Sequence, residues 1–421
     1  MAKATARRRG GCRGVSDERG PGARRAILRD VARLAGVHPA TASRALNDDT
    51  RRLVHSETAR RIEEAARTLD YRPDHVARSL KTRRSFAIGV VLPDLTNPLF
   101  PPIVRGIEDR LAIAGYVPLI GNTDNDDDRE ELVLARLEAR QVDGLIVATA
   151  RRRHPLLVEM ARAGLPVVLV NRVIDGHRLP SVSIDDSWGI RAAVTHLAEL
   201  GHRQIAHVGG PQDLSTGSGR LRGFHEGIDS AGLDADPDLV VLVESFSESA
   251  GFDGTCELLG RKRPITAIVA ANDMLALGCL RAFAYLGLDC PREISLVGFN
   301  DMPFVDRVSP PLTTVGLPHY AVGTYAAELM LERIEDGAGP VKVLFLPPEL
   351  VVRASTGPAP LASRAVSRTR AARSRIPALG ETASSRPARP RPAGHRAARP
   401  APLTVGDAGA APTPRKRSAT S

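Results

Sequence analysis

The chain has 421 residues, 43% of them apolar, and a formal net charge of +10 at pH 7. This length predicts two or three domains, and the apolar fraction is sufficient for sizeable cores. No apolar run reaches the length of a membrane span, and the basic N-terminus has no apolar stretch of the kind that a signal peptide needs, so we expect a cytoplasmic protein.

Charge is unevenly divided along the chain. Residues 1–26, rich in Arg and Gly, and residues 358–421, rich in Pro, Ala, Arg and Ser, are predicted to be a disordered basic arm and a disordered basic tail. Residues 27–84 are also net basic, whereas residues 85–360 are net acidic. A basic module on an acidic body is typical of a protein that contacts nucleic acid at one end. The cysteines show no zinc or redox spacing, and we predict no cofactor or metal.

Three short helices are predicted in the basic module. The first, Leu28–Ala35, ends at Gly36, which allows a tight turn. The second, Pro39–Leu46, has proline in its first turn, where a missing N–H costs least. The third, about Ser56–Leu69, carries apolar residues at helical spacing.

The second helix is the candidate for DNA recognition. In a helix-turn-helix it enters the major groove, where arginine pairs with guanine and alanine or threonine methyl groups contact thymine. An ordinary helical hairpin is the alternative interpretation, which the net-basic context disfavours. The residues that we expect to contact DNA from this helix and its end are Pro39, Ala40, Thr41, Ser43, Arg44 and Asn47.

Residues 86–357 alternate apolar strands with amphipathic helices, in two series. The first has strands at 87–93, 117–122, 143–149, 166–171 and 182–185. The second begins with a strand at 204–210 and runs to a strand at 294–301. Continuous apolar strands separated by helices are typical of parallel sheets covered on both faces. We therefore predict two similar doubly wound α/β lobes, with a ligand cleft at the carboxyl ends of their strands.

Enzyme and metal signals are weak. DNDDDREE (124–131) has the charge of a calcium loop but lacks its glycine and final glutamate, so we expect these acids to stabilise a helix N-terminus. The glycines at 217 and 219 do not have the spacing of a dinucleotide fingerprint. No catalytic motif stands in a recognisable frame, and we predict that the protein is not an enzyme.

Motifs along almost the whole predicted ordered chain, from about Ile27 to Thr356, resemble those of the LacI/GalR (lactose repressor) family. They include DVARLAGV (30–37), ATASRALN (40–47), YRPDHVARSL (71–80), IGVVLPDLTNPLF (88–100), GRLRGF (219–224), AANDMLALG (270–278) and ISLVGFND (294–301). The resemblance implies a helix-turn-helix domain at 27–73, a hinge helix and linker at 74–85, and a periplasmic-binding-protein-like domain of two lobes at 86–357 that binds effector and dimerises.

The resemblance also implies how the hinge binds DNA. Residues 74–82 would form a helix that orders when a dimer binds its operator, with Leu80 inserted into the minor groove to unstack and bend the duplex. His75, Ala77 and Arg78 would contact DNA beside it. The alternative for Leu80 is packing on the core domain. Asp74 stands where the family usually has Asn, and Asp49–Arg52 is about one residue longer than usual, so the details of DNA contact differ from the family pattern.

Matching to the family pattern places ten effector-binding residues at strand ends facing the cleft. Aromatic faces stack on a sugar ring or base, while Arg and Asn supply hydrogen bonds. Turn, helix-cap, core or surface roles remain alternatives for Asn122, Asn272, Phe246 and Arg220. Asn300 stands where the family commonly has Asp, which suggests an effector with a different donor pattern. The ten are Leu99, Phe100, Asn122, Asp124, Asn171, Arg172, Arg220, Phe246, Asn272 and Asn300.

The helix starts of the basic module depart from the family pattern. Ile27, His38 and His55 occupy the positions where the family usually has Ser or Thr, and losing such an N-cap costs about 0.5–2 kcal/mol per helix. The sequence therefore predicts a marginally stable DNA-binding module that firms up on DNA.

The functional prediction is a repressor that binds an inverted-repeat operator in double-stranded DNA as a homodimer, controlled by a small-molecule effector, a carbohydrate or derivative. Two other classes share the lobes: a solute-binding protein for transport and a small-molecule enzyme. The first is disfavoured by residues 27–82 and the missing signal peptide, and the second by the missing catalytic constellation.

Overall fold

The computed structural model of the chain describes residues 26–71, 84–176, 179–261, 263–337 and 339–360. The two predicted basic tails, apart from a few residues next to the folded parts, and the predicted hinge helix lie outside these ranges. Within them, no helix is both long enough and apolar enough to cross a membrane.

The basic module is a bundle of four helices: α1 (Leu28–Leu34), α2 (Pro39–Ala45), α3 (Asp48–Arg51) and α4 (Ser56–Thr68). The predicted helices α1, α2 and α4 end within one residue of their expected bounds, and the single turn α3 was missed. Gly36 takes φ +64° in the turn between α1 and α2, a conformation that favours glycine. Small and branched side chains form the core, among them Val31, Ala42 and Ile62, each fully buried.

Two six-stranded sheets form the lobes of the larger domain. The first, in spatial order β11-β5-β4-β3-β1-β2, contains only parallel pairs. The second, in order β12-β10-β9-β8-β6-β7, is parallel except for the antiparallel pair of β12 with β10. The strands are β1 (Ala87–Leu92), β2 (Val117–Asn122), β3 (Gly144–Val147), β4 (Val167–Val170), β5 (Ser181–Ile184), β6 (Ile205–Gly209), β7 (Val240–Leu242), β8 (Ala267–Ala270), β9 (Ser295–Asn300), β10 (Thr313–Gly316), β11 (Val343–Leu346) and β12 (Glu349–Val351).

Helices cover both faces of each sheet, as the fully buried apolar strands predict. They are α5 (Phe100–Ile113), α6 (Asp127–Ala139), α7 (Pro155–Arg162), α8 (Asp186–Glu199), α9 (Ser215–Ser230), α10 (Glu248–Gly260), α11 (Asp273–Leu286) and α12 (His319–Asp336).

The chain passes between the lobes three times, which the two consecutive series in the sequence did not reveal. It leaves the first sheet after β5 and enters the second lobe at α8. It returns from β10 through α12 to β11, which pairs with β5 at the edge of the first sheet. It then crosses once more to β12 in the second sheet. The prediction of two doubly wound lobes is confirmed, but each lobe is assembled from separated segments.

The returning helix α12 packs closely on α5 of the first lobe. A Cβ atom added at Gly106 would collide with the carbonyl oxygen of Tyr320, and one added at Gly323 would collide with that of Ile103. Glycine at both positions lets the two backbones approach, so α12 is an integral part of the first lobe.

Side chains cap the helices of the basic module unevenly. Ile27 offers no side-chain acceptor to α1, although its own N–H donates to Asp30 Oδ2 at 3.1 Å. His38 caps α2, because its Nδ1 accepts from the N–H of Ala40 at 3.2 Å. His55 makes no capping hydrogen bond to α4. A histidine side chain therefore takes over the capping role of the usual hydroxyl at the start of α2, but not at the start of α4.

The acidic run at 124–131 starts a helix, as predicted. Asp126 caps α6 by accepting from the N–H of Arg129 at 2.8 Å, and Asp127, Asp128 and Glu130 lie in its first turn. These positions place negative charge at the positive end of the helix dipole.

Candidate functional site

A cavity of about 210 Å³ lies between the two lobes, at the carboxyl ends of the strands. The first lobe contributes loops after β1, β2, β3 and β4, and the second contributes loops after β6, β7, β8 and β9. Ligands of open α/β sheets bind at this edge, and the size suits a small molecule.

Eight of the ten side chains that we matched to an effector site line this cavity. They come from both lobes, at the ends of six different strands or in the segments that follow them, so a molecule in the cavity would contact both halves of the domain. The eight are Leu99, Phe100, Asn171, Arg172, Arg220, Phe246, Asn272 and Asn300.

Asn122 and Asp124 do not line the cavity. Asn122 instead accepts a hydrogen bond from the N–H of Leu95 at 2.8 Å and donates to Asp124, which pairs with Arg129. Both side chains are used to fix the loops after β1 and β2. The contacts of Asn122 are those of a turn residue, which was the alternative to effector binding that we considered for it.

Asn125 occupies the wall that these two residues were expected to form. Asp124 and Asn125 both adopt left-handed backbone conformations, φ 53° and 55°, and this turn carries Asn125 to the cavity. The run of Asn and Asp after β2 indicates such a turn. Which of these side chains reaches the cavity depends on how many residues of the turn adopt the left-handed conformation.

Arg220 is a buried cation on the cavity wall that has close hydrogen-bond partners. It is 3% exposed, and it donates from Nε to Asp186 at 2.8 Å and from Nη1 to the carbonyl of Ala271 at 2.8 Å. Its guanidinium lies 4.0 Å from the ring centre of Phe299. Burial raises the pKa of Asp186, with Arg220 opposing the rise. The surface ion pair considered from sequence is thus a buried one that fixes a donor at the cavity.

Asn272 and Phe246 combine structural roles with positions on the cavity wall. Asn272 caps α11, since its Oδ1 accepts from the N–H of Leu275 at 2.9 Å, and its amide nitrogen remains a donor. Phe246 packs against the core of the domain while its ring lies 5.7 Å from the Arg220 guanidinium. The cap and core roles considered for these residues are therefore compatible with ligand contact.

Several lining residues had no individual signal in the sequence. Thr216 and Ser247 sit at the starts of α9 and α10, and Arg151 and Asp213 come from loops without a family mark. Arg151 belongs to the first lobe and the other three belong to the second, so the approach of the two lobes brings Arg151 to them, and the spacing along the chain does not identify the set.

Polar contacts join the lobes beside the cavity. Arg151 of the first lobe pairs with Asp127 of the same lobe at 2.7 Å and with Asp213 of the second lobe. The N–H of Arg152 donates to the carbonyl of Asp213 at 2.8 Å, and that of Val173 donates to Ser215 Oγ at 2.9 Å. We call these contacts the interlobe latch. The domain is held closed around the cavity on this side.

The second face of interest is the outer surface of α2. Ala42 and Ala45 face the core of the basic module, while Ala40 and Arg44 are exposed and Pro39, Thr41 and Ser43 are half-buried. Asn47, just after the helix, is exposed. The six residues matched to the recognition helix thus lie on or beside its outer side. His75, Ala77, Arg78 and Leu80 of the predicted hinge lie outside the described residues.

A helix-turn-helix module joined to two α/β lobes around a small-molecule cavity defines a class of bacterial transcription regulators. Residues 27–74 match the family of bacterial regulatory proteins called the lacI family, and residues 194–356 match a periplasmic binding protein-like domain. The transcriptional regulator RegA of Clostridium saccharobutylicum is 34% identical over 78% of this chain and 98% of its own. The repressor CytR of Escherichia coli K12 is 32% identical over 79% and 96%. The chain belongs to the LacI family of transcriptional repressors, which confirms the resemblance and the prediction that it is not an enzyme.

Solved structures of the same family share this fold. The lac repressor dimer bound to operator and the anti-inducer ONPF superposes with TM-score 0.71 at 29% identity, covering 79% of this chain and 100% of that one. The regulator CelR in complex with cellobiose superposes with TM-score 0.61 at 30% identity. The match covers 79% of this chain and 100% of that one. A LacI family regulator from Enterococcus faecium with bound ribose superposes with TM-score 0.57 at 32% identity. The match covers 65% of this chain and 99% of that one.

Proposed function

We propose that this protein is a cytoplasmic repressor that binds an inverted-repeat operator as a homodimer and responds to a small carbohydrate or carbohydrate derivative in the interlobe cavity. The observation that carries the proposal is the pairing of an exposed recognition surface on α2 with a cavity lined from both lobes. Family membership supports a repressor, and the homodimer, the inverted-repeat operator and the class of effector are proposed in addition.

The DNA side of the proposal rests on α2 and on the predicted hinge. Arg44 projects from an otherwise compact face of small side chains, Ala40 and Thr41, so the helix can approach base edges closely. Arginine in this setting pairs with guanine, and Leu80 of the hinge would enter the minor groove at the centre of the operator.

Exposed apolar side chains support a dimer. In the first lobe, Ile113, Val117 and Ile120 at the α5–β2 edge are 82%, 60% and 48% exposed. In the second lobe, Leu242 on the equivalent edge strand β7 is 47% exposed. Burying such groups favours association, and a two-fold dimer would place two recognition helices on the half-sites of an inverted repeat.

Effector control follows from the position of the cavity. Because a ligand there contacts both lobes, it binds one degree of closure more tightly than another, and it shifts the population toward that closure. The sugar bound to each of two family structures supports a carbohydrate, as do the hydrogen-bonding Arg and Asn side chains beside the aromatic rings of Phe100 and Phe246.

The test measures binding of the full chain to DNA from its own upstream region. Fluorescence anisotropy gives the affinity at each concentration of a salt series. We expect tight binding to an inverted repeat, with affinity falling steeply as salt rises because phosphate contacts release counterions. Arg44→Ala should cost about 1–3 kcal/mol and relax sequence preference, since one base contact is lost. Leu80→Ala should weaken binding and reduce the bend of the operator.

Arg292→Ala is the matched control, because it removes one positive charge from an exposed residue of the second lobe. It should leave operator binding unchanged. Binding that is weak and indifferent to both Arg44→Ala and Leu80→Ala would assign DNA contact to the basic tails and remove the helix-turn-helix proposal.

A further inference from the structure

Arg172 is a buried cation on the cavity wall. It follows Asn171 at the end of β4, and its N–H donates to the carbonyl of Val170 at 2.7 Å in a tight turn. The side chain is 7% exposed and lines the cavity. The first lobe therefore presents a guanidinium, removed from bulk water, to whatever occupies this space.

Most of the hydrogen-bond donors of Arg172 lack a good acceptor. Both terminal nitrogens reach a single atom, Oδ1 of Asn125, at 3.4 and 3.3 Å, which is longer than a strong hydrogen bond. Nε has no acceptor, and no carboxylate oxygen of the described residues lies within 4.0 Å of the guanidinium. Arg220, equally buried on the opposite lobe, has Asp186 and a carbonyl at 2.8 Å.

Arg172 is charged, and no carboxylate of the described residues forms a direct ion pair with it. Burial, and then repulsion from Arg151, lower the pKa of Arg172 to about 10, so it stays protonated at neutral pH. Asp213 is taken up by Arg151. Glu130, whose pKa is raised by burial, accepts a hydrogen bond from Thr149 and lies 3.8 Å from His154. A buried charge without a partner costs stability, and such costs are concentrated at functional sites.

The rest of the cavity wall adds positive potential. Helices α5, α9, α10 and α11 all begin at the cavity, so the positive ends of four helix dipoles face it. Of the acidic lining residues, Asp213 and Glu244 lie at exposed positions and Asp94 accepts from Thr96 at 2.8 Å. Asn300, 1% exposed at the end of β9, contributes no negative charge.

We propose that the effector carries an oxyanion, either a phosphate monoester or a carboxylate, and that Arg172 binds it. The inference rests on the proposed function in one respect, that the molecule in this cavity is the one that controls DNA binding. Nε and one terminal nitrogen of a guanidinium match two oxygens of such a group in a bidentate pair. A neutral sugar supplies only hydroxyl groups and leaves the charge unpaired. The effector is therefore a sugar phosphate or a sugar acid.

Inorganic phosphate is the first probe. The unfolding midpoint of the full-length protein is measured in phosphate and in chloride of equal ionic strength, for the natural chain, Arg172→Gln and Arg153→Gln. Arg153 is an exposed neighbour outside the cavity, so its variant controls for net charge and for phosphate bound to the basic module. We expect phosphate to raise the midpoint of the natural chain and of Arg153→Gln, and to raise that of Arg172→Gln much less. An equal rise in all three proteins would overturn the proposal.

Titration calorimetry with paired compounds distinguishes the two oxyanions. Glucose and ribose are compared with their terminal phosphates and with gluconate and ribonate. The charged partner should bind about 10- to 100-fold more tightly than the neutral sugar, the range expected from a charge-assisted hydrogen bond. Arg172→Gln should reduce this ratio to near one, and Arg172→Lys should retain part of it because the charge remains. If the sugar phosphates bind more tightly, the effector is a sugar phosphate. If gluconate or ribonate binds more tightly, the effector is a sugar acid.

Operator binding separates failure of this inference from failure of the proposed function. If a neutral sugar binds as tightly as its charged partners and releases the operator, Arg172 is not an anion site and the repressor proposal stands. If the operator is not bound by any form of the protein, the proposed function itself fails. Arg172→Gln should raise the unfolding midpoint of the unliganded protein, because it removes a buried charge that has no close partner.

Discussion

His207 and Asp273 are two buried titratable groups whose effects on stability oppose each other. His207 on β6 is fully buried, its Nδ1 lies 2.8 Å from the carbonyl of Val269, and burial lowers its pKa to about 4. Asp273, also fully buried, accepts from Thr314 Oγ1 at 2.6 Å and from the N–H of Met302 at 2.8 Å, yet burial raises its pKa to about 7.

The sign of each contribution follows from which state binds more protons. Below the unfolded pKa of 6.5, the unfolded chain gains a proton at His207 that the folded chain refuses down to about pH 4, so acidification destabilises the fold. Between the unfolded value of 3.8 and about 7, the folded chain holds a proton on Asp273 that the unfolded chain releases, so acidification stabilises it. In this window the two contributions partly cancel.

We therefore expect His207→Gln and Asp273→Asn to change the pH dependence of the unfolding free energy in opposite directions. His207→Gln should remove a loss of roughly 3 kcal/mol between neutral pH and pH 4, so the variant becomes relatively more stable in acid. Asp273→Asn should become relatively less stable in acid. Urea unfolding of both variants and the natural chain across this range measures the differences. Parallel pH profiles would contradict the assignment.

At the scale of single helices, the start of α4 is the clearest weakness of the DNA-binding module. His55→Ser should supply the missing acceptor and raise the unfolding free energy of fragment 1–84 by about 0.5–2 kcal/mol. His38→Ser is the control, since the imidazole already accepts from Ala40 and the exchange should change little. Urea unfolding followed by helical circular dichroism compares the two. A natural fragment that melts cooperatively at high temperature without DNA would contradict the marginal stability predicted from the sequence.

Helices and strands with a strong local pattern could be predicted from the sequence, whereas those defined by distant pairing could not. The bounds of α1, α2 and α4 followed from proline, glycine and apolar spacing. Strands β11 and β12 are short, half-exposed edge strands whose partners β5 and β10 are fixed by the overall topology. The residues of these strands do not indicate which lobe they join. The return of α12 to the first lobe could not be predicted either, because it also depends on pairing with distant elements.

The candidate site divides in the same way. Arg220, Asn272 and Asn300 stand next to strands or in motifs that the family pattern marks, and the structure brings them to one cavity. Asn125 and Asp213 depend on a left-handed turn and on the approach of the second lobe. These are properties of the folded chain rather than of local spacing, so only the structure reveals them.

At the scale of the whole molecule, the interlobe latch predicts how easily the domain opens. Asp213→Asn removes the charge that holds Arg151 across the lobes and should shift the protein toward an open form. Glu332→Gln is the control, because its ion pair with Lys342 at 2.6 Å lies within the first lobe. Small-angle X-ray scattering should show a larger radius of gyration for the first variant alone. Equal radii would mean that the remaining interlobe hydrogen bonds suffice.

The three passages of the chain between the lobes have a consequence for synthesis. The four helices of the DNA-binding module are complete once Thr68 has left the ribosome, and their contacts are local. The first lobe must wait for α12 and β11, which end at Asp336 and Leu346, because α12, which packs on α5, is made after all the other helices of the domain. During translation the second lobe can therefore acquire most of its strands before the first lobe closes. The four helices that carry the recognition surface are therefore complete long before the first lobe, and with it the interlobe cavity, can form.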